Sequence, residues 1–178
     1  MSDDLPLRTL RVMLLRHAKS AWPDGVADFY RPLAERGRKA APLMGDYMAR
    51  HALVPERALV STAERAQETW KLVAGALPSG IAVENTRAIY EVGADQILSV
   101  IRATDGAVGS LLVVGHNPGM EDLALELVGS GDPDARMRLA DKFPTAALAV
   151  LEFEAAGWRD LSPGGARLAH FVTPRSLA

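Results

Sequence analysis

Apolar residues in this chain fall into short continuous runs, separated by stretches in which they return every three or four positions. Val12-Met13-Leu14-Leu15, Ala58-Leu59-Val60 and Leu111-Leu112-Val113-Val114 are unbroken, the form taken by strands buried on both faces of a sheet. The pattern predicts strands over residues 10–15, 58–61, 111–115, 146–153 and 167–172, and helices over 37–51, 62–77, 94–104 and 119–128. Such alternation argues for an α/β sandwich with a largely parallel central sheet. A weaker strand around Ile81-Ala82-Val83 is expected at an edge. Residues 153–168, with Gly157 and Pro163-Gly164-Gly165, read as a loop joining two antiparallel edge strands. Pro42 lies inside the first helical pattern and is expected near that helix's start, where its missing N–H costs nothing.

Three of the predicted strands end on chemically notable residues. The first runs straight into Arg16-His17-Ala18-Lys19-Ser20. The second ends at Ser61 and leads into a helix carrying Arg65; Ser61-x-x-Glu64 fits a capping box. The third ends in Gly115-His116-Asn117-Pro118-Gly119, a loop whose Pro118 is placed to open the next helix. Ligands of open α/β sheets bind outside the carboxyl ends of the strands. There, Arg16, His17, Arg65 and His116 would supply one nucleophile and three donors for a phosphoryl group, and arginine forks match phosphate oxygens. Taken singly, each has a plainer reading: a solvated strand-end pair, a helical arginine paired with Glu64 or Glu68, a surface loop histidine. The remaining histidines, His51 and His170, are assigned to a helix end and a strand with no chemical role.

Composition narrows the field. The chain has 178 residues, 48% hydrophobic and 24% charged, an ordinary globular balance. A single domain over 1–178 is expected, with 1–9 as a flexible N-terminus and roughly 70% of the unfolded surface buried. A net charge of −2 argues against nucleic-acid and anionic-membrane partners. No apolar run reaches membrane-span length, and the acidic N-terminus lacks signal-peptide form, so the cytoplasm is the expected location. There is no cysteine and no His-x-x-x-His, so no disulfide and no evident metal site is expected.

The Leu-Leu-Arg-His start, the Ser-x-x-x-Arg-Ala-x-Glu-Thr segment and the Val-Gly-His-Asn-Pro loop resemble the histidine phosphatase (phosphoglycerate mutase-like) superfamily, from about Leu10 to Val150. The short chain and Arg31-Pro32-Leu33-x-x-Arg36-Gly37 most resemble the SixA-type phosphohistidine phosphatases. The resemblance implies a three-layer α/β/α sandwich, mostly parallel with an antiparallel edge. It also implies that His17 attacks phosphorus, that Arg16, Arg65 and His116 bind the transferred group, and that water then releases inorganic phosphate without a cofactor or metal. The family's usual Arg-His-Gly is Arg16-His17-Ala18 here; the extra methyl removes no reacting group and indicates that residue 18 avoids a positive φ.

For the general acid, Glu91 stands where many members keep a catalytic glutamate, with an exposed loop carboxylate as the competing reading and Asp28 as a remoter candidate. A phosphohistidine leaves as imidazole and needs such an acid less than an alkyl ester does. Between the Arg65 helix and the strand at Leu111 the chain has room for Glu91 and one helix only, so no lid is expected. An open site suits a phosphohistidine on another protein. A phosphomonoesterase for a small metabolite, and an inactive phosphate-binding adaptor, are the alternatives; a mutase is disfavoured for want of a closed site. Residues 22–31 and 129–143 are the expected rim, with Lys19, Arg138 and Lys142 read as solvated surface charge. The oligomeric state is left open.

Overall fold

A computed structural model describes residues 5–178; Met1–Asp4 of the expected flexible N-terminus lie outside the described residues. The chain runs β1 (Arg8–Arg16), α1 (Glu35–Arg50), β2 (Arg57–Ser61), α2 (Glu64–Ala74), β3 (Ala82–Thr86), α3 (Ala94–Arg102), β4 (Ser110–Gly115), α4 (Gly119–Leu127), β5 (Val128–Gly131), α5 (Pro133–Asp141), β6 (Leu148–Ala155) and β7 (Ala166–Val172). One sheet of seven strands forms, in the order β3-β2-β4-β1-β6-β7-β5. β3, β2, β4 and β1 are mutually parallel; β6 pairs antiparallel with both β1 and β7, and β5 lies parallel to β7. The α/β sandwich with a mostly parallel sheet is thus present.

The period-2 alternation within each continuous apolar run divides the core into two. Val12 and Leu14 of β1, with Leu111 and Val113 of β4, face α3, α4 and α5 in one cluster with Ile97, Ile101, Leu123 and Leu139. Met13 and Leu15, with Leu112 and Val114, face α1 and α2 in a second cluster with Met44, Met48, Ala66 and Val73. All eight of these strand residues are fully buried. Helices therefore cover both faces, and the central strands have no polar side.

Several expectations are corrected. β1 takes in Arg8 and Thr9, expected in the flexible N-terminus, because Arg8 pairs with Ala155 and Thr9 with Glu154 of β6. β5 and α5 carry too little apolar patterning to be read from sequence: β5 is Val-Gly-Ser-Gly, and α5 buries only Ala135 and Leu139. β5 sits outside β7, so the antiparallel β6–β7 pair is not the margin of the sheet. Pro42 is not at a helix start. It lies in the interior of α1, which begins at Glu35, so the Arg38 carbonyl loses its helical donor. Among the described residues no helix is long and apolar enough to cross a membrane.

Interior proline costs a helix about 3 kcal/mol relative to alanine. Pro42→Ala is expected to raise the free energy of unfolding by about 1 kcal/mol or more, measured by urea denaturation. An unchanged or lowered value would show that the kink itself is needed for packing.

Candidate active site

β1 and β4 are neighbours whose following helices, α1 and α4, pack on opposite faces of the sheet. That divergence opens a crevice at the carboxyl ends of the two strands. Register makes the ends level: Arg16 pairs with Gly115, and Val60 of β2 with Val114. The His17 N–H then donates to the Gly115 carbonyl at 3.0 Å. His17 and His116, one residue past adjacent strand ends, have ring centroids 5.2 Å apart. Both are nearly buried, at 6% and 5% exposure.

The backbone fixes the His17 tautomer. His17 Nδ1 lies 2.8 Å from the Ala18 carbonyl, an acceptor only, so Nδ1 carries the proton. Nε2 is left with its lone pair and accepts from Arg65 Nε at 3.4 Å. Ser61 Oγ accepts from the Ala63 N–H (3.3 Å) and shares a hydrogen bond with His116 Nε2 at 2.7 Å. Among the described residues neither His116 Nδ1 nor Arg16 Nε, both buried atoms, has a hydrogen-bond partner. Arg16 is anchored by its Nη1, which donates to the Phe143 carbonyl at 3.1 Å. An unprotonated imidazole nitrogen within reach of the Arg65 guanidinium suits an oxyanion.

Burial, then hydrogen bonding and neighbouring cations, set the charge state. Desolvation chiefly, with further lowering from His116, Arg65 and Arg16, brings the His17 pKa down to about 3 despite the Ala18 bond. Desolvation, then Arg65, brings His116 to about 4. Both imidazoles are neutral at pH 7. Burial also lowers Arg16, partly countered by Glu121.

Arg65 is 4% exposed and faces Asp28 rather than Glu64 or Glu68. Its Nη1 donates to the Asp28 carbonyl (2.8 Å) and its Nη2 to Asp28 Oδ2 (3.0 Å). The same carboxylate receives Tyr90 OH at 2.6 Å and Arg31 Nε at 3.0 Å. Partial burial works to raise the Asp28 pKa, but Tyr90, Arg31 and Arg65 together hold it well below the usual carboxylate range. Tyr90 moves the other way, up to about 12, through burial and the Asp28 bond. Held ionised by three donors, Asp28 has no proton to give in this state. It is a hub that positions Arg65.

Glu91 is not drawn into this cluster. It is exposed, its backbone is in the left-handed region (φ 50°), and its side chain makes no hydrogen bond or ion pair among the described residues. Ser61 does not cap α2 through a box with Glu64 either; Ala63 is the N-cap, without a side-chain bond, and the Ser61 hydroxyl goes to His116. Ala18 has no positive φ, as expected of an alanine there. No lid is inserted between α2 and β4. The Asp28 turn packs on Arg65 instead. Among the described residues no group of three or more His, Cys, Asp or Glu side chains could hold a metal ion.

The surrounding motif residues secure the His17 loop. Thr69 Oγ1 donates to the Arg65 carbonyl (2.6 Å) and accepts the Ala18 N–H (3.0 Å), tying α2 to residue 18. Glu68 Oε1 accepts the Leu33 N–H at 3.2 Å. Arg31, 6% exposed, donates to Ser20 Oγ (2.8 Å) and lies 3.5 Å over the Trp22 ring. Gly37 lets α1 approach: a Cβ there would sit 2.1 Å from the Lys19 carbonyl oxygen. Ala146, at φ 61°, turns its N–H onto the Arg16 and His17 carbonyls, both at 3.1 Å. Sequence reasoning does not single out Ser61, Thr69, Tyr90 or Arg31 as functional supports. Thr69 alone carries a usable signal, four residues after Arg65 on the same helix face.

A sheet ending in two level, neutral histidines beside Arg65 and Arg16 has the chemistry to receive a phosphoryl group. Comparison with known proteins agrees. The histidine phosphatase superfamily (branch 1) matches residues 12–97. The solved structure of a putative SixA phosphohistidine phosphatase from Agrobacterium tumefaciens superposes with a TM-score of 0.79 at 35% identity, covering 93% of this chain and 98% of that one. The protein histidine phosphatase SixA solved with tungstate gives 0.75 at 25% identity, over 95% and 100%. An uncharacterized protein of Mycobacterium tuberculosis is 38% identical over 90% of this chain and its own full length. The chain belongs to the histidine phosphatase superfamily, and it is a phosphatase.

The depressed histidine pKa values have a consequence for stability. Below the ordinary imidazole value of about 6.5 the unfolded chain binds protons that folded His17 and His116 refuse. The stabilisation is therefore whole above about pH 6.5 and lost as pH falls toward 4, by up to about 1.4 kcal/mol per pH unit for each histidine. Urea unfolding at pH 7 and pH 5 should show this loss, and His17→Ala should reduce it. An equal loss in the variant would mean other groups carry the acid sensitivity.

Proposed function

We propose that this phosphatase acts through a covalent phosphohistidine on His17 and that its substrate is a phosphohistidine on another protein. One observation carries the reading: His17 Nε2 is unprotonated and faces Arg65, with the His116 ring centroid 5.2 Å from its own. In the first step the Nε2 lone pair forms a bond to phosphorus while the bond to the leaving nitrogen breaks; the departing imidazole takes a proton from water. Arg16, Arg65 and His116 hold the equatorial oxygens as charge develops. In the second step water attacks the phosphohistidine, its proton is released, and inorganic phosphate leaves with His17 neutral again. The arginines supply the positive charge at the oxygens. The tungstate complex of SixA, a tetrahedral oxyanion on a relative of the same fold, supports an oxyanion site of this kind here.

Asp28 places the Arg65 fork and stays ionised. Glu91, exposed one residue from Tyr90, is the candidate for delivering a proton to a poorer leaving group than imidazole. That the two histidines are only 6% and 5% exposed favours a second reading, a phosphomonoesterase for a small metabolite.

His17→Ala is expected to abolish turnover while the protein stays folded, because that side chain's only acceptor is the neighbouring carbonyl. Arg65→Ala should lower kcat by a hundredfold to a thousandfold, about 3 to 4 kcal/mol, the usual effect of removing one oxyanion donor. Near-normal activity in either variant would overturn the mechanism. The substrate is tested by kcat/KM on a phosphohistidine-bearing protein against p-nitrophenyl phosphate. Strong preference for the former supports the proposal; equal or better hydrolysis of the ester transfers it to the metabolite reading. Glu91→Gln should impair the ester more than the phosphohistidine, and equal losses would remove Glu91 from the acid role.

A further inference from the structure

A groove of about 560 Å³ lies beside the site, between the N-terminal part of α1, the C-terminal end of α5 and the segment following β7. Lys19, Arg36, Arg138, Lys142 and Arg175 line it against a single carboxylate, Asp141. Five cations to one anion is a strong local excess in a chain whose net charge is −2. The floor is apolar, with Ala40, Pro144 and the buried ring of Phe171. Arg138 is set in advance of any ligand. Its Nη1 donates to the Phe171 carbonyl at 3.1 Å and its guanidinium lies 5.7 Å from the centre of that ring, leaving its other N–H groups free.

Register places this groove on the reacting edge of the sheet. Leu15 of β1 pairs with Leu148 of β6, and Leu148 with Val172 of β7, so Thr173 and Pro174 leave β7 level with Arg16 and His17. Two strand spacings separate them, about 10 Å. The walls are also continuous with the site: Lys19 lies two residues after His17, and residues 142–145 include Phe143, whose carbonyl anchors Arg16. A ligand whose phosphoryl group sits at His17 can therefore reach the groove with about three residues of extended chain.

We infer that this groove docks an acidic segment of the phosphoprotein substrate, with carboxylates on its cationic walls and an apolar side chain on its Phe171 floor. The inference rests on the phosphohistidine-protein reading above and adds the sequence context that the enzyme would select. Charge complementarity of this kind acts on encounter and specificity more than on the chemical step.

The test uses two synthetic peptides phosphorylated on one histidine. One carries Asp-Leu-Glu about three residues away on both sides; the other carries Asn-Leu-Gln there. The full-length enzyme should show kcat/KM roughly tenfold higher on the acidic peptide, with the gap closing as salt is raised. In the variant Lys142→Glu/Arg175→Glu, which alters two exposed side chains outside the reacting cluster, the gap should vanish or reverse. Its activity on p-nitrophenyl phosphate at physiological ionic strength should stay within about twofold, since charges at that distance are largely screened. Equal rates on the two peptides with the unaltered enzyme, or a gap that survives in the variant, would overturn the groove assignment while leaving the phosphohistidine reading standing. Equal peptide rates together with inhibition by citrate that the variant loses would reassign the groove to a small polyanion. No hydrolysis of either peptide by an enzyme active on the ester would overturn both readings.

Discussion

The hydrogen bond from the His17 N–H to the Gly115 carbonyl closes the β1–β4 ladder at its carboxyl end, and the arrangement of the site follows from it. Because the two strands are parallel and end at the same level, the next residue of each is a histidine, and the two rings meet. Ser61, at the end of the next strand over, comes within reach of the second ring, and the helix that follows it delivers Arg65. The divergence of α1 and α4 keeps the space above the strand ends free of helix. A slip of one residue between β1 and β4 would exchange the two core faces and move one histidine away from the other.

A second constraint is electrostatic. Arg31 and Arg65 are almost wholly buried, and a buried cation left without a counter-charge is strongly destabilising. Asp28 serves both of them at once and receives Tyr90 as well. The histidines need no counter-charge because burial keeps them neutral. The site therefore holds its positive charge on arginines, which cannot be deprotonated, and keeps its imidazole nitrogen available, a division of labour that pH does not disturb near neutrality.

The features legible in the sequence are those in which one strong local rule is unopposed. Val12–Leu15 and Leu111–Val114 are apolar on both faces, so their burial and parallel pairing follow. The histidines after them are fixed in place by strand length alone, which is why the order of residues is enough to mark Arg16, His17 and His116. Arg65 needs only the turn of a helix. What cannot be read there depends on contacts between distant, irregular segments. Asp28, Arg31 and Tyr90 lie in or beside loops, and nothing local marks their convergence. Ser61 shows how a local rule loses to a distant partner: the capping pattern is present, yet the hydroxyl is better matched by His116 across the strand ends. Pro42 shows tertiary packing holding a helix through a residue that opposes it. β5 and α5 lack a pattern because their burial is slight.

The position of β1 also dictates an order of events as the chain is made. It precedes the other six strands of the sheet in the chain and lies at its middle, paired with β4 on one side and β6 on the other. Residues 110–115 must exist before its first neighbour does, and residues 148–155 before its second. Such long-range pairings slow folding, since loop closure comes before the contacts that reward it. The apolar strand that ends at His17 therefore waits, unpaired, until about a hundred further residues have been translated, and the position of His17 is fixed only once those distant strands have arrived.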